Sequence, residues 1–282
     1  MKRILLPTDF SENSLNAIHY ALSLMKNVVC EFFLLYTYTP PMISTRTILD
    51  SSSVWDIQKI AENNAIEELN RFKIKIENEF INEKHTFTSI VSFNLLIPEM
   101  CDIAEKESIN LVIMGTQGAT GAKMIFLGTN TMYAIKRLKI PVLAVPSGYV
   151  YEDPKEILFP TDYYVERKNN YLGLIREICK MHQSRLHILN SYFGVELSTD
   201  QAALKTFLDT FFKNSAHLFH IADGKDVLEA IDESELQSKI HLLVMIHNKH
   251  NFFENLLFKP VINQIVYKTN VPFLVIPSLE RQ

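Results

Sequence analysis

The sequence predicts an α/β fold built twice, as two doubly wound parallel sheets in tandem. Three observations carry that expectation. Short continuous apolar runs alternate with longer amphipathic segments, the pattern of strands buried on both faces by helices. The opening Lys2-Arg3-Ile4-Leu5-Leu6-Pro7-Thr8-Asp9 returns as Lys155-Glu156-Ile157-Leu158-Phe159-Pro160-Thr161-Asp162. The segment Lys139-Ile140-Pro141-Val142-Leu143-Ala144-Val145-Pro146 likewise returns as Asn270-Val271-Pro272-Phe273-Leu274-Val275-Ile276-Pro277, so each half opens and closes alike.

In chain order, the first half is expected to place strands at Arg3–Leu6, Cys30–Thr37, Thr86–Phe93, Leu111–Met114 and Val142–Val145. The first helix starts at Ser11, a good N-cap, and Leu15, Ile18, Ala21, Leu22 and Met25 give it one apolar stripe. A long helix within Trp55 to Phe80 carries Ile57, Ile60, Ala61, Ala65, Leu69 and Phe72. Pro98 falls in the first turn of the next helix, where its missing N–H does no harm. The second half repeats the strands at Glu156–Phe159, Arg185–Ser191, His217–Ile221, His241–Met245 and Phe273–Ile276. It is 22 residues shorter, because the Lys2 to Lys155 offset of 153 shrinks to 131 between Lys139 and Asn270. The stretch from Thr39 to about Asp56 accounts for part of that. Turn formers from Ser147-Gly148-Tyr149 to Asp153-Pro154 mark a linker, which divides the chain into residues 1–148 and 154–282.

Composition narrows the function. An apolar fraction of 47% with 21% charged residues is that of an ordinary globular protein. A net charge of −4 argues against a protein that works through a basic surface on nucleic acid. The longest apolar runs, Phe32 to Tyr36 and Val271 to Ile276, are far below the ~20 residues needed to span a bilayer. Pro7 and Asp9 follow the basic start too soon for the apolar core of a signal peptide. A cytoplasmic protein without nucleic-acid or membrane partners is expected. Cys30, Cys101 and Cys179 are widely separated and read as reduced thiols.

The chemistry is expected in loops leaving the strands' carboxyl ends, where open α/β sheets bind ligands. The loop after the fourth strand reads Met114-Gly115-Thr116-Gln117-Gly118-Ala119-Thr120-Gly121-Ala122-Lys123-Met124-Ile125-Phe126-Leu127-Gly128-Thr129-Asn130-Thr131. Gly115 and Gly118 let the backbone approach a ligand closely. Gly128-Thr129 opens a helix, whose unpaired N–H groups and positive end make an anion site, with Thr129 and Thr131 as further hydroxyl donors.

This G-x2-G-x9-G-[ST] pattern, with Pro7-Thr8-Asp9 at the end of the first strand, closely resembles the universal stress protein family, and the resemblance covers the chain as a tandem pair. It implies Rossmann-like domains of the adenine nucleotide alpha hydrolase-like type. It also implies binding of ATP or a related adenine nucleotide, with Mg²⁺ as the companion of a triphosphate, by a stress-response sensor rather than an enzyme. Carried over by position, Asp9 and Thr37 stand near the base, Gly115 and Gly118 near the ribose and α-phosphate, and Gly128, Thr129 and Asn130 at the outer phosphates. Pro7, Thr8 and Met114 complete the set. Asp9 has a plainer reading as the cap of the first helix. Family members often pair through the strand that closes the domain. A tandem chain can satisfy this internally between Val142–Val145 and Phe273–Ile276, and a homodimer is a further assembly.

The second copy departs from the pattern. Its loop, Ile246 to Pro260, has no glycine, and Lys259-Pro260 stands where Gly128-Thr129 does, removing an N–H and a hydroxyl. Triphosphate binding is therefore expected in the first half alone. Three rivals compete. A P-loop ATPase lacks its spacing, since Gly121-Ala122-Lys123 runs into Met124, which leaves slow hydrolysis at most. A zinc site could draw on His217, His220, His241, His247 and His250, but the odd spacing of His217 and His220 on a strand splits the set. The third rival is an interaction scaffold that binds no ligand.

Overall fold

The structure, a computed structural model, describes residues 1–38, 51–116, 128–164, 167–192, 196–224, 227–247 and 271–278. The first half runs β1 (Lys2–Pro7), α1 (Glu12–Leu24), β2 (Cys30–Thr37), α2 (Ser51–Glu79), β3 (His85–Ser92), α3 (Leu96–Lys106), β4 (Leu111–Gly115), α4 (Thr129–Arg137) and β5 (Val142–Val145). The second runs β6 (Glu156–Pro160), α5 (Leu172–His182), β7 (Arg185–Tyr192), α6 (Thr199–Phe212), β8 (Ala216–Asp223), α7 (Val227–Ser238), β9 (Leu242–His247) and β10 (Phe273–Pro277). None of these helices is long and apolar enough to cross a membrane.

The strands form one sheet in the order β3-β2-β1-β4-β5-β10-β9-β6-β7-β8. Pairing is parallel within each half, which requires the crossover connections that the helices supply. At the centre β5 and β10 run antiparallel, with Phe273 opposite Ala144, Leu274 opposite Leu143 and Val275 opposite Val142. Alternate residues of each strand feed two cores. On one face Ile4, Leu6, Phe32 and Leu34 pack with Ile18 of α1, Leu69 and Ile76 of α2, and Ile178 and Leu208 of α5 and α6. On the other, Leu5, Phe33 and Leu35 meet Met100 and Ile103 of α3, Ile135 of α4 and Ile231 of α7. Burial on both faces is why the strands carry unbroken apolar runs.

The stripe expected on α1 is buried, with Leu15 packed at its edge. On α2 the expectation needs correction. Ala65, Leu69, Phe72 and Ile76 form the packed stripe, whereas Ile60 is 59% exposed. Ile60 lies one residue, about 100°, off the line from Ala61 to Ala65, and so points away from the sheet. Residues 39–50 of the long connection lie outside the described residues.

The linker is tied to both halves. Gly148 turns with φ 70°, and Tyr149 and Tyr151 then pack edge-on against buried Tyr20 of α1, with centroids 6.0 and 5.2 Å away. Asp153 accepts from the Tyr151 hydroxyl at 3.0 Å and pairs with Lys26 at 3.2 Å. His182, buried at the end of α5, donates through Nε2 to Leu24 O of α1 at 2.9 Å, and its Nδ1 lies 3.6 Å from Asp153. Burial raises the Asp153 carboxyl, but the hydrogen bonds from Tyr151 and Lys26 outweigh it and hold the group below its usual range. Burial also holds His182 below the ordinary imidazole value, against the opposing pull of Asp153.

Candidate functional site

Strand order reverses at β1, which lies between β2 and β4, so the crevice outside their carboxyl ends is the switch point of the first half. Thr8, buried just past β1, shares a hydrogen bond with Ser14 Oγ at 3.0 Å and accepts from Phe10 N–H at 3.0 Å. Phe10 has φ 60°, a left-handed conformation that strains a non-glycine residue by ~1–3 kcal/mol. Its ring is held by Tyr36 and Phe72, with centroids 4.5 and 5.3 Å away. This turn swings Asp9 out to the rim, where it is exposed. There its Oδ1 accepts from the N–H and hydroxyl of Ser11 at 3.1 and 2.5 Å. Ser11 in turn caps α1 by accepting from Ser14 N–H. The helix cap is therefore Ser11, and Asp9 orients the capping serine.

The opposite wall is the start of α4. Gly128 is its N-cap, and Gly128 N–H donates to Thr116 O. A glycine has no side chain to bond the first turn, and the first helical bond is Met132 N–H to Gly128 O at 3.0 Å. The N–H groups of Thr129, Asn130 and Thr131 consequently have no partner within the helix. Lys136 and Arg137 in the last turn complement the other end of the dipole. Thr131 corrects an expectation. It lines the crevice but is buried, and its hydroxyl donates to Gly115 O at 2.8 Å, so its proton pins the end of β4 to α4 and is not available to an anion.

These walls enclose a cleft of about 340 Å³, a size suited to a small ligand. Pro7, Thr8, Asp9, Thr37, Met114, Gly115, Gly128, Thr129 and Asn130 line it, and Gly118 lies outside the described residues. Ser14, Tyr36 and Leu96 also line it and were not anticipated. Ser14 had a signal, being three residues past the N-cap Ser11, and Tyr36 precedes Thr37 at the mouth of β2. Burial raises the Tyr36 hydroxyl, and the charges of Glu68 and Asp9 raise it further, so it stays a neutral donor. No lysine or arginine is among the described lining residues.

The second half repeats the turn but not the wall. Thr161 accepts from Tyr163 N–H at 3.0 Å, Tyr163 has φ 57°, and Asp162 Oδ1 accepts from Tyr164 N–H at 3.0 Å. By strand register, Ile246 and fully buried His247 stand where Gly115 and Thr116 do, so the second half has a side chain at the position where Gly115 has none. Residues 248–270, including the Lys259-Pro260 position, lie outside the described residues.

The histidines considered for a metal are dispersed. His217 meets Asp209 at 3.0 Å, and His220 pairs with His187 on the opposite face. His241 Nδ1 accepts from Glu156 N–H at 3.2 Å. His250 lies outside the described residues. Among the described residues no three His, Cys, Asp or Glu side chains are grouped to hold a metal ion. Burial pushes the thiols of Cys30 and Cys179 up to about 11 and about 12, which keeps them protonated and unreactive.

Two doubly wound halves sharing one sheet, a strained turn after the first strand and a glycine-capped helix at the switch point define a class: α/β proteins with a cleft at the carboxyl ends of the strands. The model of the universal stress protein family matches residues 1–146. Universal stress protein MJ0531 of Methanocaldococcus jannaschii is 32% identical over 146 residues, 51% of this chain and 81% of its own. Universal stress protein MJ0577 of the same organism is 30% identical over 152 residues, 51% of this chain and 94% of its own. A universal stress protein of Archaeoglobus fulgidus superposes along the whole length, covering 98% of this chain and 96% of its own, with a TM-score of 0.66 at 19% identity. The chain belongs to the universal stress protein family.

Proposed function

We propose that the first half binds ATP or a related adenine nucleotide in the cleft between β1 and α4, and that the protein acts as a nucleotide-dependent regulator in the cytoplasm. The observation that carries this reading is the start of α4, whose glycine cap leaves the first-turn N–H groups directed at the cleft. With no cationic side chain among the described lining residues, the phosphates are held by backbone N–H groups and the hydroxyl of Thr129. Asp9 and Thr37, on the far wall, receive the base and ribose edge. Mg²⁺ has no carboxylate pair there, Asp9 being the one carboxylate of the described lining, so it enters on the triphosphate's own oxygens.

The role of residues 154–282 is structural. Their turn keeps the first-half form without its glycine loop, and β10 covers the edge that β5 would otherwise expose. The two domains of one chain thus take the place of two subunits. A nucleotide alters such a protein by binding one of two states more tightly, without chemistry on a substrate.

The test is a calorimetric titration of ATP with Mg²⁺ into the nucleotide-free wild type and Gly128→Val, with circular dichroism to check both folds. Gly128 has extended backbone, φ −57° and ψ 150°, which valine adopts, so the variant folds. Binding weakened at least about tenfold in the folded variant is expected, because a branched side chain at the cap holds the phosphates away from the N–H groups of α4 and forfeits hydrogen bonds to a charged group. No binding by the wild type, or equal binding by the variant, overturns the reading.

A further inference from the structure

The sheet ends on β3 at one side and β8 at the other, and the internal repeat makes these two strands equivalent. They are finished differently. On β3 only Thr86 is exposed, whereas Ala216, Leu218, His220, Ile221 and Asp223 of β8 are. Arg3 opposes Glu31 and Glu31 opposes Thr86, as Glu156 opposes Arg185 and Arg185 opposes Ala216. Leu218 therefore stands where Thr88 does, and Ile221 where Val91 does. Thr88 is half-buried and donates to Glu31 Oε1 at 3.3 Å, and Val91 packs against the core. Their counterparts are bare, with Leu218 47% and Ile221 64% exposed. Helix α6, at 14 residues, is about half the length of α2, at 29, and leaves Ile221 uncovered.

Strand β8 also lacks the devices that protect a sheet edge. It carries no proline and no lysine, and it pairs with β7 over eight consecutive residues without a bulge. Its open side presents backbone N–H and C=O groups flanked by apolar side chains, a template for another strand.

We propose that two copies of this chain join β8 to β8, antiparallel, across a two-fold axis at His220, so that their sheets run on as one. Directly opposed residues of an antiparallel pair lie on the same face, so the axis falls on a residue and not between two. With the axis at His220, Phe219 faces Ile221 of the second copy, Leu218 faces Ala222, and His217 faces Asp223. Moving the axis to Phe219 sets Leu218 against His220 and Ile221 against His217. Moving it to Ile221 sets Leu218 against Gly224 and Phe219 against Asp223. The His220 register alone gives both exposed apolar residues apolar partners.

Charge selects the same register. On the α6 side of the strand the Lys205 ammonium lies 5.3 Å from the Phe219 ring centroid, and the His217 ring lies 5.8 Å from that of Phe219. Asp209 of α6 meets His217 at 3.0 Å, and Lys205 has no ion pair among the described residues. The other end of β8 carries exposed Asp223. The two-fold axis brings the Asp223 carboxylate of each copy beside His217 and Lys205 of the other. A two-fold pairing also closes, whereas β8 on β3 of a second copy would extend without limit and would meet a covered strand. Six strands separate β8 from β1, so the dimer does not depend on the nucleotide cleft.

Sedimentation equilibrium of the full-length protein tests the pairing. A dimer is expected, dissociating between about 1 and about 100 µM, as suits a small interface. The double variant Leu218→Lys, Ile221→Lys puts two ammonium groups from each copy at the axis and should weaken the dimer at least about a hundredfold. Its circular dichroism should be unchanged, because both side chains are exposed. His220→Cys reads the register: in a Cys101→Ser background, mild oxidation should link two copies through position 220. Ala216→Cys, which faces Gly224, should stay unlinked in the same background. A wild type that remains monomeric at about 100 µM, a dimer that survives the lysine substitutions, or a disulfide in Ala216→Cys with none in His220→Cys overturns the proposal.

Discussion

After β1 and after β6 the chain makes the same turn: a buried threonine accepts from the residue two ahead, an aromatic residue takes the left-handed conformation, and an aspartate stands at the rim. After β4 and β9 the two halves part, with Gly115-Thr116 on one side and Ile246-His247 on the other. The difference separates scaffold from site. A strained turn kept in the half that has lost its glycine loop belongs to the fold, because it seats Phe10 or Tyr163 against the core and starts the next element. The first turn of α4, with no side-chain cap to satisfy its N–H groups, has no such duty, and it distinguishes the half proposed to receive a ligand.

That comparison can be broken at several points. The largest effect is expected at the seam that joins the halves. Leu274, fully buried opposite Leu143, should lose ~2–5 kcal/mol of stability on substitution by alanine, read as an earlier denaturant midpoint. If the halves depend on each other there, the variant still unfolds in one transition; two separated transitions would show independent halves. Next are the paired aspartates. Asp9→Ala should weaken ATP binding by about tenfold, the scale of a lost charged hydrogen bond, whereas Asp162→Ala should leave it unchanged in the same titration.

Smaller effects sharpen the division between scaffold and site. Ser11→Ala removes the cap of α1 and Ser198→Ala the capping box of α6. Each should lower stability by ~1 kcal/mol in urea denaturation. Only the first should also disturb nucleotide affinity, because Ser11 holds Asp9. The smallest effect concerns the linker. His182 binds protons less readily folded than unfolded, so its stability contribution is complete above about pH 6.5 and is lost as pH falls from there through its lower folded value. Urea midpoints should follow a flatter pH course in His182→Gln.

Most of the fold was legible in the sequence, because each strand is buried on both faces and so appears as an unbroken apolar run. The expected cores of β2 and β5 coincide with the observed strands, and the others differ by a residue or two at their ends. The cleft was legible as far as its chemistry was backbone chemistry announced by glycines. Thr131 was misread because a hydroxyl's direction depends on packing; only the structure turns it toward Gly115 O. Ile60 was misread because an apolar residue one position off a helical stripe looks the same as one on it. His187 drew no attention, since a lone histidine in an apolar run gives no sign of its partners on neighbouring strands.

The central expectation is that the first half alone binds nucleotide. Counting ATP sites by calorimetry on protein freed of copurified nucleotide tests it directly. One site per chain, lost in Gly128→Val, is the expected result; two sites, or one site that survives in Gly128→Val, would contradict it.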